Sequence, residues 1–148
     1  MTPPELRRRL FDVNALVALA LTTHVHHRAA HRALATATGG WATCPLTESG
    51  LLRLMLNPAV TGVRFTTREV IDVLAGMRTH PDWAFLHDTV SPAAPLIDHS
   101  VLVGHTQVTD FHLVDLAARN DVVLATFDAR LATSLVPADR RHVEVLQP

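Results

Sequence analysis

The run VVLATF, residues 122–127, is apolar but for Thr126, and Asp128 follows it at once. A strand with one wet face alternates polar and apolar residues, whereas a run like this one needs cover on both faces, as in a parallel sheet between helices. Three other segments share its character. Leu10 to Val13 is a short buried strand with Arg7, Arg8 and Arg9 leading in, WATC (41–44) a second and WAFL (83–86) a third. Val143 to Leu146 supplies a last strand at the sheet edge.

Helical patterns fill the intervals. Helices are expected from about Asn14 to Leu21, and from about His26 to Thr38, where Gly39-Gly40 stops the chain. Pro45 and Thr47 open a third, TESGLLRLMLN, closed by Asn57-Pro58. Thr66 or Thr67 caps TREVIDVLAGMR, whose apolar side is Val70, Ile71, Val73, Leu74 and Met77. Pro92 and Pro95 precede a short helix, and VTDFHLVDLAARN (108–120) is the last. Such alternation predicts an α/β fold around a mostly parallel sheet of about four to five short strands, with its ligand site beyond the strands' carboxyl ends. No repeat, low-complexity tract or linker divides the chain, so residues 1–148 read as a single domain.

Composition narrows the chemistry. The chain has 148 residues, 48% of them hydrophobic, and a net charge of −1 that favours neither nucleic acid nor membrane as a bulk partner. No apolar run approaches the roughly 20 residues of a membrane span. The single cysteine, Cys44, excludes an internal disulfide and a thiolate metal cage, and fits a cytoplasmic protein. All 13 basic residues are arginine. Walker-type phosphate binding, Schiff-base catalysis and Ser–Lys hydrolysis all need a lysine, so they are excluded.

Four acids stand in unexpected places. Asp12 and Asp128 end apolar strands, where a helix N-cap is the plain structural reading. Glu48 begins the apolar stripe Leu51, Leu52, Met55, and Asp110 points into the face made by Leu113, Val114 and Ala117. Asp115, by contrast, falls on the outer side with His112 and Arg119, and is expected to be a surface acid paired with Arg119. Buried carboxylates without partners cost several kcal/mol each, and no arginine adjoins the four in sequence. A divalent cation would relieve both burial and repulsion, and carboxylate oxygens suit Mg²⁺ or Mn²⁺ rather than structural zinc.

The pieces FDVNAL, TESGLLRLMLNP, HTQVTDFHLVDLA and LATFDARL carry these acids in order. With the intervening TGVRFTTREVIDVLAGMRTHPDWAFL, they resemble the PIN-domain ribonucleases, specifically the VapC toxins of type II toxin–antitoxin systems, over nearly the whole chain. The resemblance implies a three-layer α/β/α PIN fold, often dimeric, and Mg²⁺- or Mn²⁺-dependent endonucleolytic cleavage of RNA. It implies a VapB-like antitoxin whose C-terminal segment fills the groove. Asp12 and Asp110 would be the main metal ligands, and Glu48 and Asp128 would complete the pocket. Asn14 and Thr126 would steady these acids from behind. Few basic residues are on hand to grip RNA; Arg53, Arg64 or a groove made by a homodimer would have to serve.

Other readings are weaker. HVHHRAAH spaces His27 and His31 for a metal but lacks the glutamate of HExxH, and reads as a solvated helix face. His105 and His112 flank Asp110 as candidate proton donors. A haloacid-dehalogenase-like phosphatase would need an aspartate where Asn14 stands, and a response-regulator receiver a late lysine. A PIN module that binds an antitoxin-like peptide or RNA without cutting it is the rival from another class, and the presence of all four acids counts against it.

Overall fold

The structure, a computed structural model, describes residues 2–148. Its five strands are β1 (Arg9–Phe11), β2 (Trp41–Thr43), β3 (Trp83–Phe85), β4 (Val123–Thr126) and β5 (Val143–Val145), in the order β3-β2-β1-β4-β5. Every pairing is parallel. The helices are α1 (Val13–Ala20), α2 (His27–Ala35), α3 (Pro45–Met55), α4 (Pro58–Thr61), α5 (Thr67–Met77), α6 (Val108–Arg119) and α7 (Ala129–Ser134).

The strands are apolar because both faces are covered. Successive residues point to opposite sides, so Phe11, Trp41 and Ala125 join a core with α1, α2, α3 and α5. Leu10, Ala42 and Leu124 join a second core with α6 and α7. The expected three-layer α/β/α arrangement follows. No helix is long and apolar enough to cross a membrane.

From β1 the chain winds outward through β2 to β3, then returns past β1 to form β4 and β5. The winding therefore reverses between β1 and β4. Crevices at such reversals, beyond the carboxyl ends, are where open α/β sheets bind ligands. Asp12 directly follows β1, and Asp128 comes two residues after β4.

Three expectations need correction. α5 starts as foreseen, with Thr66 and Glu69 forming a reciprocal cap. Of its expected apolar side, however, only Val70 is fully buried, while Ile71 and Val73 stay 42% and 38% exposed. This helix packs mainly against α3, which leaves its outer side open. The stretch after Pro95 forms only a 3-10 turn at His99–Val101. α7 and the 3-10 turn Pro137–His142 were not foreseen, although Asp128 caps α7 as a strand-end acid can.

Asp115 is the largest correction. It is 1% exposed and does not pair with Arg119; its Oδ1 accepts from the Leu96 and Ile97 amides at 2.6 and 3.0 Å. A helical wheel assumes one buried face, but α6 is covered on both: Phe111, Leu113, Val114, Leu116 and Ala117 are buried with Asp115. The segment 94–98 lies across its far side. Asp139, itself nearly buried, holds the next amide, that of Asp98, at 2.8 Å.

Candidate active site

Asp12 is 6% exposed and caps α1. Its Oδ1 accepts from the Val13 amide at 2.7 Å, and its Oδ2 accepts from Thr126 Oγ1 at 2.8 Å. Thr126, fully buried at the end of β4, is a hub. Its hydroxyl also accepts from Asn14 Nδ2 at 2.9 Å and from the Asp128 amide at 3.1 Å. A hydroxyl has one proton and two lone pairs. With both lone pairs engaged, the proton is committed to Asp12. Asn14 closes the frame, its Oδ1 accepting from the Phe127 amide at 3.1 Å. The two expected supporting residues thus lock the start of α1 to the end of β4.

Asp110 lies in the first turn of α6, half-buried. It shares with Asp128 a cavity of about 350 Å³ that Thr106, Gln107, Arg130 and Ser134 also line. Burial pushes its pKa up to about 6, and the charges of Asp12 and Asp128 push the same way. Burial also raises the pKa of Asp12, against the two hydrogen bonds that lower it, with Asp128 adding to the rise. The charges of the three aspartates therefore act on one another at the sheet reversal. Asp128 caps α7, its Oδ1 accepting from the Arg130 amide at 3.0 Å, with Arg130 Nε at 3.6 Å.

Glu48, in the first turn of α3, has partners of its own. Its Oε1 accepts from Thr43 Oγ1 at 2.7 Å, and its Oε2 lies 3.7 Å from Arg78 Nη1. Arginines thus reach two of the four acids, Arg78 at Glu48 and Arg130 at Asp128, through contacts that adjacency in sequence does not show. Neither Arg53 nor Arg64 pairs with any of the four among the described residues. Thr43 repeats the device of Thr126: each is a fully buried threonine ending an apolar strand and donating to an acid. The matching endings of WAT and LAT were the available signal.

The donor set fits a hard divalent cation. It consists of carboxylate oxygens, and two of the carboxyls have proton affinity raised by burial and by neighbouring aspartates. Among the described residues no three Asp, Glu, His or Cys side chains are poised as a ready-made metal cage. Mg²⁺ commonly uses one or two carboxylates and keeps several waters, so a pair with a third acid near suffices. Other candidates fall away. Cys44 is buried and its thiol pushed up by that burial, so it offers no thiolate. His27 Nδ1 is tied to the Ala18 carbonyl at 2.8 Å, and His112 Nε2 to Asp88 at 2.8 Å. A larger depression of about 440 Å³ lies at the opposite, amino-terminal ends of β1, β4 and β5, where Arg9 and Glu144 neutralise one another at 2.6 Å.

Comparison with known proteins agrees with this geometry. The chain is 45% identical over 140 residues to ribonuclease VapC38 of Mycobacterium tuberculosis, covering 93% of this chain and 96% of that one. It is 43% identical over 143 residues to ribonuclease VapC39 of the same species, with 93% and 98% covered. Ribonuclease VapC29 matches at 37% over 123 residues, 83% and 87% of the two chains. Among solved structures, VapC20 of M. tuberculosis, described as a toxin that cleaves the sarcin-ricin loop, superposes with a TM-score of 0.59. That match covers 86% of this chain and 96% of the other at 14% identity, a likeness of fold alone. No family model matches the chain. Near-complete coverage at these identities, on a three-layer parallel fold with its acids at the sheet reversal, places the chain in the VapC family of PIN-domain ribonucleases.

Proposed function

We propose that the chain is the toxin of a toxin–antitoxin pair, an endoribonuclease that hydrolyses RNA phosphodiester bonds with Mg²⁺ or Mn²⁺. Its partners on this reading are RNA, a VapB-like antitoxin and a second copy of itself. The observation that carries the catalytic part is Asp110, a carboxyl raised to about 6 by burial beside Asp12 and Asp128. Asp12 and Asp110 would hold the ion, and Asp128 and Glu48 would complete the pocket. When bound, a divalent ion supplies Lewis-acid stabilisation of the charge that builds on the phosphate. The chain's own part is orientation. Thr126 and the Val13 amide fix the Asp12 carboxylate, and the cavity beside Asp110 admits the phosphate. Asp128 spends Oδ1 on the Arg130 amide, which leaves Oδ2 free to receive a proton from the attacking water.

Purified chain incubated with single-stranded RNA should cut it in Mn²⁺ and leave it intact in EDTA. Cutting that persists undiminished in EDTA would refute the metal-dependent reading, and intact RNA in both would favour the non-catalytic alternative. Thr126→Val keeps the shape of the side chain and removes the hydroxyl. It should cut activity about 10- to 100-fold, the usual cost of losing a group that orients a ligand. Thr126→Ser should retain most activity; equal losses in the two variants would mean that packing, rather than the hydroxyl, is what matters.

A further inference from the structure

Arg78 is held from several directions at once. It ends α5, with its amide bonded to the Leu74 and Gly76 carbonyls. Its guanidinium carbon sits 4.3 Å from the Trp83 ring centroid and 5.2 Å from that of Phe85, while Nη1 faces Glu48. Trp83 is pinned in turn, since its Nε1 donates to Thr43 Oγ1 at 3.0 Å, the same hydroxyl that donates to Glu48. A closed circuit of Arg78, Trp83, Thr43 and Glu48 therefore fixes a flat cation beside Glu48.

Stability does not account for this circuit. A partly exposed ion pair at 3.7 Å contributes little, and β3 is an outer strand of the sheet. The Arg78 side chain is still 41% exposed. With Ile71, Leu74 and Ala75 it lines an open depression of about 300 Å³. The depression thus combines apolar walls with a guanidinium already stacked on an indole.

We propose that Arg78, backed by Trp83, seats an unpaired nucleobase of the RNA beside Glu48. The inference rests on the ribonuclease reading above and adds to it the residue that seats a base of the bound strand. Unpaired bases are held by stacking on aromatic rings and on arginine planes, which read a π-face rather than a sequence. A cation bound only to phosphate would need no aromatic backing. The chain has no lysine, so its point charges for RNA come from arginine alone. Arg78 positions the substrate; the acids do the chemistry.

The test uses the full chain carrying Asp110→Asn, so that RNA binds without being cut, in Mn²⁺ buffer. Arg78→Gln and Arg78→Lys are then added, and affinity is measured for a mixed-sequence single-stranded RNA and for an abasic strand of the same length. Arg78→Gln should weaken binding of the normal strand about tenfold, within the range for losing one stacked base. It should weaken binding of the abasic strand less than twofold, and Lys should restore little. In the otherwise native enzyme, the rise in KM should exceed the fall in kcat. Equal weakening on both strands would overturn base seating in favour of a phosphate contact. Unchanged RNA binding would overturn it too, and would leave the depression to a protein segment. Native enzyme that cuts no RNA in Mn²⁺ would instead defeat the ribonuclease reading itself, so the two failures are distinguishable. Thermal midpoints of the variants within a few degrees of the parent verify that folding is intact.

Discussion

Asp110→Asn is expected to abolish RNA cleavage and, in metal-free buffer, to make the protein more stable. Losing a carboxylate that holds the ion removes several kcal/mol of transition-state stabilisation, a fall in rate of about 10²-fold or more. The stabilising effect follows from proton linkage. A pKa raised from 3.8 to about 6 means that the native state takes up a proton more readily than the unfolded chain. Stability therefore falls as pH rises through that window, and above it the ionised carboxylate is a standing cost. Discounted for the half-exposed position, that cost is about 1–2 kcal/mol. In a chain of this size it corresponds to roughly 3–6 °C in thermal midpoint. The gap between variant and wild type should be small near pH 4, open between pH 4 and 6, and stay level above. Thermal scans in EDTA across that range measure it, and a variant less stable than wild type at pH 7 would contradict the account.

Asp115, five residues along the same helix, should behave in the opposite way. Asp115→Ala leaves the amide of buried Ile97 and that of the more exposed Leu96 without their acceptor. An orphaned buried donor costs about 1–3 kcal/mol, and with a smaller share from the Leu96 amide the loss should be roughly 2–4 kcal/mol. The midpoint should fall by roughly 5–15 °C, and Asp115→Asn, which keeps a carbonyl oxygen, should fall less. Amide exchange at Leu96 and Ile97 should accelerate along with it. A midpoint within a degree of wild type would mean that this carboxylate does not hold the 94–98 segment.

These two aspartates mark the boundary of what the sequence makes legible. Apolar runs, helix caps and the acids at strand ends are local signals, and they locate Asp12, Asp110 and Asp128 around the sheet reversal. The fold class follows from the same runs. Asp115 was misplaced because a wheel describes one helix against one neighbour, while a three-layer fold with a crossing segment buries α6 on both sides. Ile71 and Val73 erred the other way, their apolar stripe lying at an edge where the core ends. The Glu48–Arg78 contact spans 30 positions of sequence and forms only when α5 returns beside α3. Such pairings depend on tertiary closure, so adjacency in sequence cannot exclude them. The buried threonines at the ends of β2 and β4 were within reach, as a repeated strand-terminal hydroxyl next to an acid.

The claim on which the functional reading turns is that Asp12, Asp110 and Asp128 are crowded because a cation belongs among them. Mn²⁺ titration of the thermal midpoint, run side by side on wild type and Asp110→Asn at pH 7, tests it most directly. A ligand at 100 times its Kd stabilises by about 2.7 kcal/mol. The wild-type midpoint should therefore climb by several degrees over the millimolar range and overtake that of Asp110→Asn, which should barely move. A flat wild-type curve, or equal climbs in both proteins, would contradict it.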